Sequence, residues 1–268
     1  MRRRSPRFAL VPPVRPILAA LLLLLCAACS TLPEGQKSSA PGSGPPEIEP
    51  ATIESHARSF DEEEPVRAAG SQQELAASAY IVAHVTDAGY VFRLDAVPVQ
   101  DLVRSTNVVA LPPRGDEPEV IVVVGYDSTQ GSAPNGHAIS VWLEVARALR
   151  AADADHGVEF VALGAEHAEA GGGNLGSRRL THQLADDGAT PEIVEIGPVE
   201  GGGRRVEVSG IAEAALEAEA RELGIPVSVS AGIPGTGAVF PAAGFDTTVV
   251  AGGAEGVAKV LLAYLGTL

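Results

Sequence analysis

The amino-acid sequence predicts an α/β domain: a three-layer αβα sandwich around a mostly parallel, mixed sheet. Three observations point there. Short apolar runs alternate along the chain with longer segments whose apolar residues recur at helical spacing. The runs Val120–Val124 and Val158–Leu163 are almost continuously apolar, which suits strands buried on both faces. Each of these runs leads into a glycine-rich polar loop, "GYDSTQGSAPNG" and "GAEHAEAGGGNLGS", and in such folds sites lie at the carboxyl ends of strands.

The elements follow in order. Ser71-Gln72-Gln73-Glu74 forms a capping box, with Ser71 as the cap and Glu74 reaching back to it. The helix behind it carries Leu75, Ala79, Val82 and Val85, and Gly89 ends it. Extended runs at Tyr90–Leu94 and Asn107–Leu111 precede the Val120–Val124 strand. A helix over Ile139–Leu149 comes next, its single tryptophan, Trp142, expected in the core. After the Val158–Leu163 strand come a helix near Arg178–Leu184 and strands at Ile193–Ile196 and Arg205–Val208. Helix Glu213–Leu223, strands Val227–Val229 and Thr248–Val250, and helix Val257–Leu265 complete the pattern.

Ahead of the domain, residues 1–28 have the layout of an export signal. Arg2, Arg3, Arg4, Arg7 and Arg15 precede a short apolar core, Ile17–Leu25, shorter than the ~20 residues that span a bilayer. Cys29 follows Ala27-Ala28 and resembles the lipidated cysteine of a bacterial lipoprotein box, although Cys26 stands where that box usually has leucine. The expected location is therefore the bacterial cell envelope, with the chain lipid-anchored to a membrane (the outer one in a Gram-negative cell). Residues 29–59 are rich in Pro, Ser and Gly and read as a disordered tether, which leaves 60–268 as the folded domain.

Removal of residues 1–28 takes away five arginines and no acids, leaving 14 basic against 34 acidic residues, a net charge of −20. Such a surface repels nucleic acid and excludes it as a partner. The expected partners are the lipid bilayer, through acylated Cys29, and a peptide or protein of the envelope. The run "GGGNLG" lacks the lysine and the strand-to-helix placement of a phosphate loop.

Six segments together carry a family resemblance: "GSQQELAASAYIVAHVTDAGY", "STNVVALPP", "IVVVGYDS", "APNGHAISVWLEVARAL", "VEFVALGAEH" and "GSRRL". In this order they resemble the di-zinc exopeptidases, the aminopeptidase family of bacterial leucyl aminopeptidase and aminopeptidase Y. The resemblance implies a zinc-peptidase-like sandwich. It also implies a site in which two zinc ions, held by two histidines and three carboxylates, activate a shared water beside a glutamate general base.

Carried over position by position, the helper residues are present and most ligands are not. Glu166 matches the general base and Asp127 the aspartate that orients the first ligand histidine, whose position is Gly125. Asn135 matches the asparagine after the bridging aspartate, which is replaced by Pro134. His167 stands for the ligand glutamate, Gly197 or Pro198 for the third carboxylate, and Gly235, Thr236 and Gly237 for the triplet holding the last histidine. The expectation is a degenerate member with vestigial Glu166 and Asp127, no zinc or other cofactor, and a binding or scaffolding role. An active metallo-exopeptidase is the alternative, with one metal on His137, His167, Asp127 and Glu166. A Ser–His–Asp hydrolase using Ser128 or Ser140 with His137 or His167 is a third reading; the chain lacks a Gly-x-Ser-x-Gly elbow.

Overall fold

A computed structural model describes residues 47–268, apart from residues 116, 170, 234 and 236–238. Signal segment 1–28 and Cys29 lie outside the described residues. The elements are α1 (Pro50–Arg58), a π-helical turn (Ser59–Glu63), α2 (Gln72–Asp87), β1 (Val91–Gln100), β2 (Val103–Leu111) and β3 (Val120–Gly125). Then come α3 (Gly136–Ala151), β4 (Val158–Leu163), α4 (Leu175–Asp187), β5 (Glu192–Glu200) and β6 (Val206–Gly210). The last are α5 (Glu213–Glu222), β7 (Val227–Val229), α6 (Val239–Ala242), β8 (Thr247–Gly253) and α7 (Ala254–Leu265).

The eight strands form one sheet in the order β1-β2-β4-β3-β5-β8-β6-β7. Its centre is parallel: β3 pairs with β4 and β5, and β5 with β8. Antiparallel pairs β1/β2, β2/β4 and β6/β8 flank that centre, and β7 runs parallel to β6. The sheet is thus mixed and mostly parallel, as expected. Val122, Val124 and Phe160 face the larger core with α3 and α7, while Ile121, Val123, Val161 and Ile193 pack on α4 and α6. Burial on both faces explains why β3 and β4 read as unbroken apolar runs. Trp142 is fully buried, donates to the Val122 carbonyl at 3.0 Å and meets Phe160 edge-on.

Two expectations need correction. The tether does not continue to residue 59: Pro50 opens α1, and Ile53, Ala57 and Phe60 are buried at helical spacing, Ile53 and Phe60 in the main core. Burial of three apolar side chains outweighs the Pro/Ser/Gly character of the stretch before them, at roughly 1.5–3 kcal/mol for each large one. The apolar face assigned to α2 is also displaced. Leu75 is 69 % exposed, and the buried face is Glu74, Ala77, Ser78, Ile81 and Val85. Glu74 turns inward because it is a structural acceptor: it takes the Gly70 N–H and the Ser105 hydroxyl, while its own N–H donates to Ser71 Oγ at 3.1 Å. The capping box exists, but its carboxylate is spent on the loop before the helix and on β2 rather than on Ser71.

Candidate functional site

A pocket of about 340 Å³ opens at the carboxyl ends of β3, β4 and β5. Gly125, Pro134, Asn135, Glu166, His167, Gly197, Pro198 and Gly235 all line it, so the positions singled out in the sequence converge in space. Gly237 lies outside the described residues, two positions from pocket-lining Gly235. Val124, Ala133, Ala138, Ile196 and Val199 supply apolar wall.

The floor is built from buried polar groups, each with a defined task. Asp127 is fully buried and accepts the backbone N–H groups of Glu166 at 2.9 Å and His167 at 2.8 Å. His167 Nδ1 lies 3.4 Å from the same carboxylate, and that hydrogen bond raises the imidazole pKa. Asp127 therefore fastens the β4 loop to the end of β3, in a stretch where Ala165 takes a left-handed φ of 57°. Charge-assisted bonds of this kind contribute about 1.5–3 kcal/mol each.

Glu166 is 6 % exposed. Its Oε1 accepts the Ser177 N–H at 2.8 Å, and its Oε2 accepts the Ser177 hydroxyl. Ser177 is the third residue of α4, where N–H groups have no partner inside the helix. The helix's own N-cap, Asn174, is left-handed and its side chain caps nothing. Glu166 thus caps α4 from outside. Burial pushes its pKa up to about 7 against the Ser177 hydrogen bonds, with Asp127 and Glu195 adding to the rise. Such a value also suits a general base, but both oxygens are occupied by the helix cap. Gly176 makes this contact possible: a Cβ there would sit 2.4 Å from the Gly164 carbonyl and 2.9 Å from Glu166 Oε1.

Asn135 ties the facing wall. Its Nδ2 donates to the Gly125 carbonyl at 3.0 Å and the Asp127 carbonyl at 3.1 Å, and its Oδ1 accepts from Arg67. Arg67, 1 % exposed, also donates to the carbonyls of Tyr126 at 2.8 Å, Phe60 at 2.6 Å and Glu64. Burial lowers its pKa, while Asp61 and Asp127 act in the opposite sense. Nothing in the sequence around Arg67 marks it.

Glu195 was also missed. It is 2 % exposed and lines the pocket. An acid between buried Val194 and Ile196 was the available signal.

His137 does not join the pocket cluster. It is the second residue of α3, its Nε2 3.4 Å from Glu54 and its Nδ1 3.8 Å from Asp61. The single-metal arrangement with Asp127, Glu166 and His167 is thereby corrected: the helix start turns the imidazole toward α1. The serine reading fails as well. Ser128 Oγ donates to the Pro65 carbonyl at 3.0 Å and Ser140 Oγ to the Gly136 carbonyl at 2.6 Å, the latter a bond back along its own helix.

These features define an α/β domain with a zinc-exopeptidase-like fold. More particularly, residues 107–228 match the model of Peptidase family M28. Among solved structures, a putative Zn-dependent exopeptidase from Bacteroides vulgatus is similar at TM-score 0.69 and 13% identity, covering 84% of this chain and 98% of its own. A leucine aminopeptidase precursor from Bacteroides thetaiotaomicron gives TM-score 0.69 and 11% identity over 84% and 99%. A glutaminyl cyclase from Fimbriiglobus ruber gives 0.69 and 15% over 84% and 97%. No curated protein matches the sequence.

Zinc is the metal named for the exopeptidase that this fold resembles, and the residues here do not fit it. Gly125, Pro134 and Gly197 offer no side-chain donor at the pocket wall. Glu166 is engaged by Ser177, and His167 by Asp127. Among the described residues, no three His, Cys, Asp or Glu side chains group as a metal site. Structural and catalytic zinc sites need three or four such ligands.

Proposed function

We propose that this chain is a non-catalytic relative of the M28 zinc exopeptidases, anchored by lipid at Cys29 in the cell envelope, which uses the strand-end pocket to bind a peptide or protein partner. One observation carries this reading: a pocket is present at the strand ends, and Gly125, Pro134 and Gly197 put no side-chain donor into it. Glycine and proline at these positions preserve a loop's course and remove its chemistry. The acidic surface, net −20 after processing, favours a basic or neutral partner over nucleic acid.

The test pairs metal content with turnover. Purified mature protein is expected to carry no stoichiometric zinc, to leave aminoacyl-anilides intact, and to melt at one temperature with and without chelator. A native-state ligand at 100 times its dissociation constant adds about 2.7 kcal/mol, a shift that a melt resolves readily. Stoichiometric metal, a chelator-sensitive melt and anilide hydrolysis together would establish the active metallo-exopeptidase instead.

A further inference from the structure

We infer that residues 47–67 form an acid-opened clasp, hinged on the His56–His84 contact, that holds the pocket's outer wall in place at neutral pH.

The clasp is fastened at three points. At its start, the Glu49 N–H donates to buried Glu144 at 2.6 Å, and Arg147, doubly bonded to Glu144, donates to the Glu47 carbonyl at 2.9 Å. In its middle, Ile53 and Ala57 enter the core, and His56, only 9 % exposed, lies against α2. At its end, Asp61 Oδ1 accepts the Gly136 N–H at 2.9 Å and so caps α3, while Arg67 grips Asn135. Gly136 and Asn135 begin the helix that follows the pocket loop, and Asn135 holds Gly125 and Asp127. The last fastening thus joins the clasp directly to the pocket wall.

The middle fastening tolerates neutral imidazole and resists imidazolium. His56 Nδ1 sits 2.7 Å from the Tyr80 hydroxyl, and the His56 and His84 rings meet edge-on with centroids 4.5 Å apart. Arg147 of α3 adds a second positive neighbour beside His84. The acids nearby are Asp87, which acts on His84, and Glu63, which acts on Tyr80. Burial first, then His84 and Arg147, bring the His56 pKa down to about 4, and burial lowers His84 as well. A histidine depressed in the folded state favours folding above its unfolded pKa, and that contribution disappears as pH falls from about 6.5 toward 4. His137 of α3 also faces the clasp, its Nε2 3.4 Å from Glu54 and its Nδ1 3.8 Å from Asp61. These pairs are long and partly exposed, so they add little to the fastening.

The experiment is hydrogen exchange on the full mature chain, corrected for intrinsic rates, at pH 7 and pH 4.5. Titration of His56 alone predicts that protection across residues 50–63 falls on the order of 50-fold relative to α7. The Gly136 amide, bonded to Asp61, is expected to lose protection with them. His56→Gln, which keeps a partner for Tyr80, should remove the pH dependence. Parallel loss of protection in α7, an unmoved Gly136, or an unchanged pH response in His56→Gln would each overturn the clasp. If that variant does not fold, titration of the His56 imidazole in the wild type decides: a value near 4 supports the clasp and a value near 6.5 refutes it.

Discussion

Glu166 offers the sharpest separation of a working base from a structural cap, through the pH dependence of stability in Glu166→Gln. Burial places the Glu166 pKa at about 7, against 4.5 for a free carboxyl. The folded state therefore holds its proton more tightly than the unfolded chain does. The stability contributed is complete below pH 4.5 and is lost as pH rises through 7. A difference of that size, at 1.36 kcal/mol per pH unit, amounts to about 3 kcal/mol. Glutamine imitates the protonated acid: its carbonyl can accept the Ser177 N–H and its amide can donate to Ser177 Oγ. Urea unfolding at pH 4.5 should show wild type and variant equal within about 1 kcal/mol. At pH 8 the variant should be the more stable by up to about 3 kcal/mol. Glu159, also raised to about 7 by burial, titrates in both proteins and cancels in the difference. A variant less stable than wild type at pH 8 would mean that the carboxylate is held ionised by a cation, as a base beside metal would be. A difference independent of pH would refute the burial reasoning outright.

Two further predictions address the wall and the anchor. Arg67→Met strands four acceptors around a buried position, and should lower unfolding stability by about 3–5 kcal/mol in a denaturant titration; a loss under 1 kcal/mol would deny Arg67 its organising role. Cys29→Ala should move the protein from membranes to the soluble fraction or stall its processing, because acyl chains hold by ~0.8 kcal/mol per buried methylene and persist through salt washing; recovery of wild type in the soluble fraction would remove the lipid anchor.

Much of the fold was legible because burial on two faces writes itself as continuous apolar runs. Val120–Val124 and Val158–Leu163 stand within a residue of β3 and β4 for that reason. β1 was read too short, since Asp95–Gln100 includes Pro98 and the polar Asp95 and Gln100, which only pairing with β2 makes extended. In α1 and the turn after it, the spacing of Ile53, Ala57 and Phe60 was visible, but the Pro- and Ser-rich segment before it masked the signal. At the site, the convergence of Gly125, Pro134, His167 and Gly197 was readable from the ordered motifs. The destinations of His137 and Glu166 were not. A histidine at the second position of a helix can turn either way, and Glu166 as a cap depends on α4 arriving from eleven residues downstream. Arg67 acts through the tertiary packing of distant segments, which periodicity does not record, whereas Glu195 was marked only as an acid within an apolar run.

The pocket wall at Gly125 and Gly235 is main chain, and the two glycines differ in what they would admit. A Cβ at Gly235 would come within 2.6 Å of Glu195 Oε1, whereas one at Gly125 meets Glu166 Cγ at 3.4 Å, an ordinary contact. Gly125 is accordingly a place from which the cavity can be narrowed, beginning with Ala, whose Cβ the Glu166 side chain accommodates. Such a series is a ready-made ruler: the size at which a bound partner is first rejected would report how deeply that partner reaches into the domain.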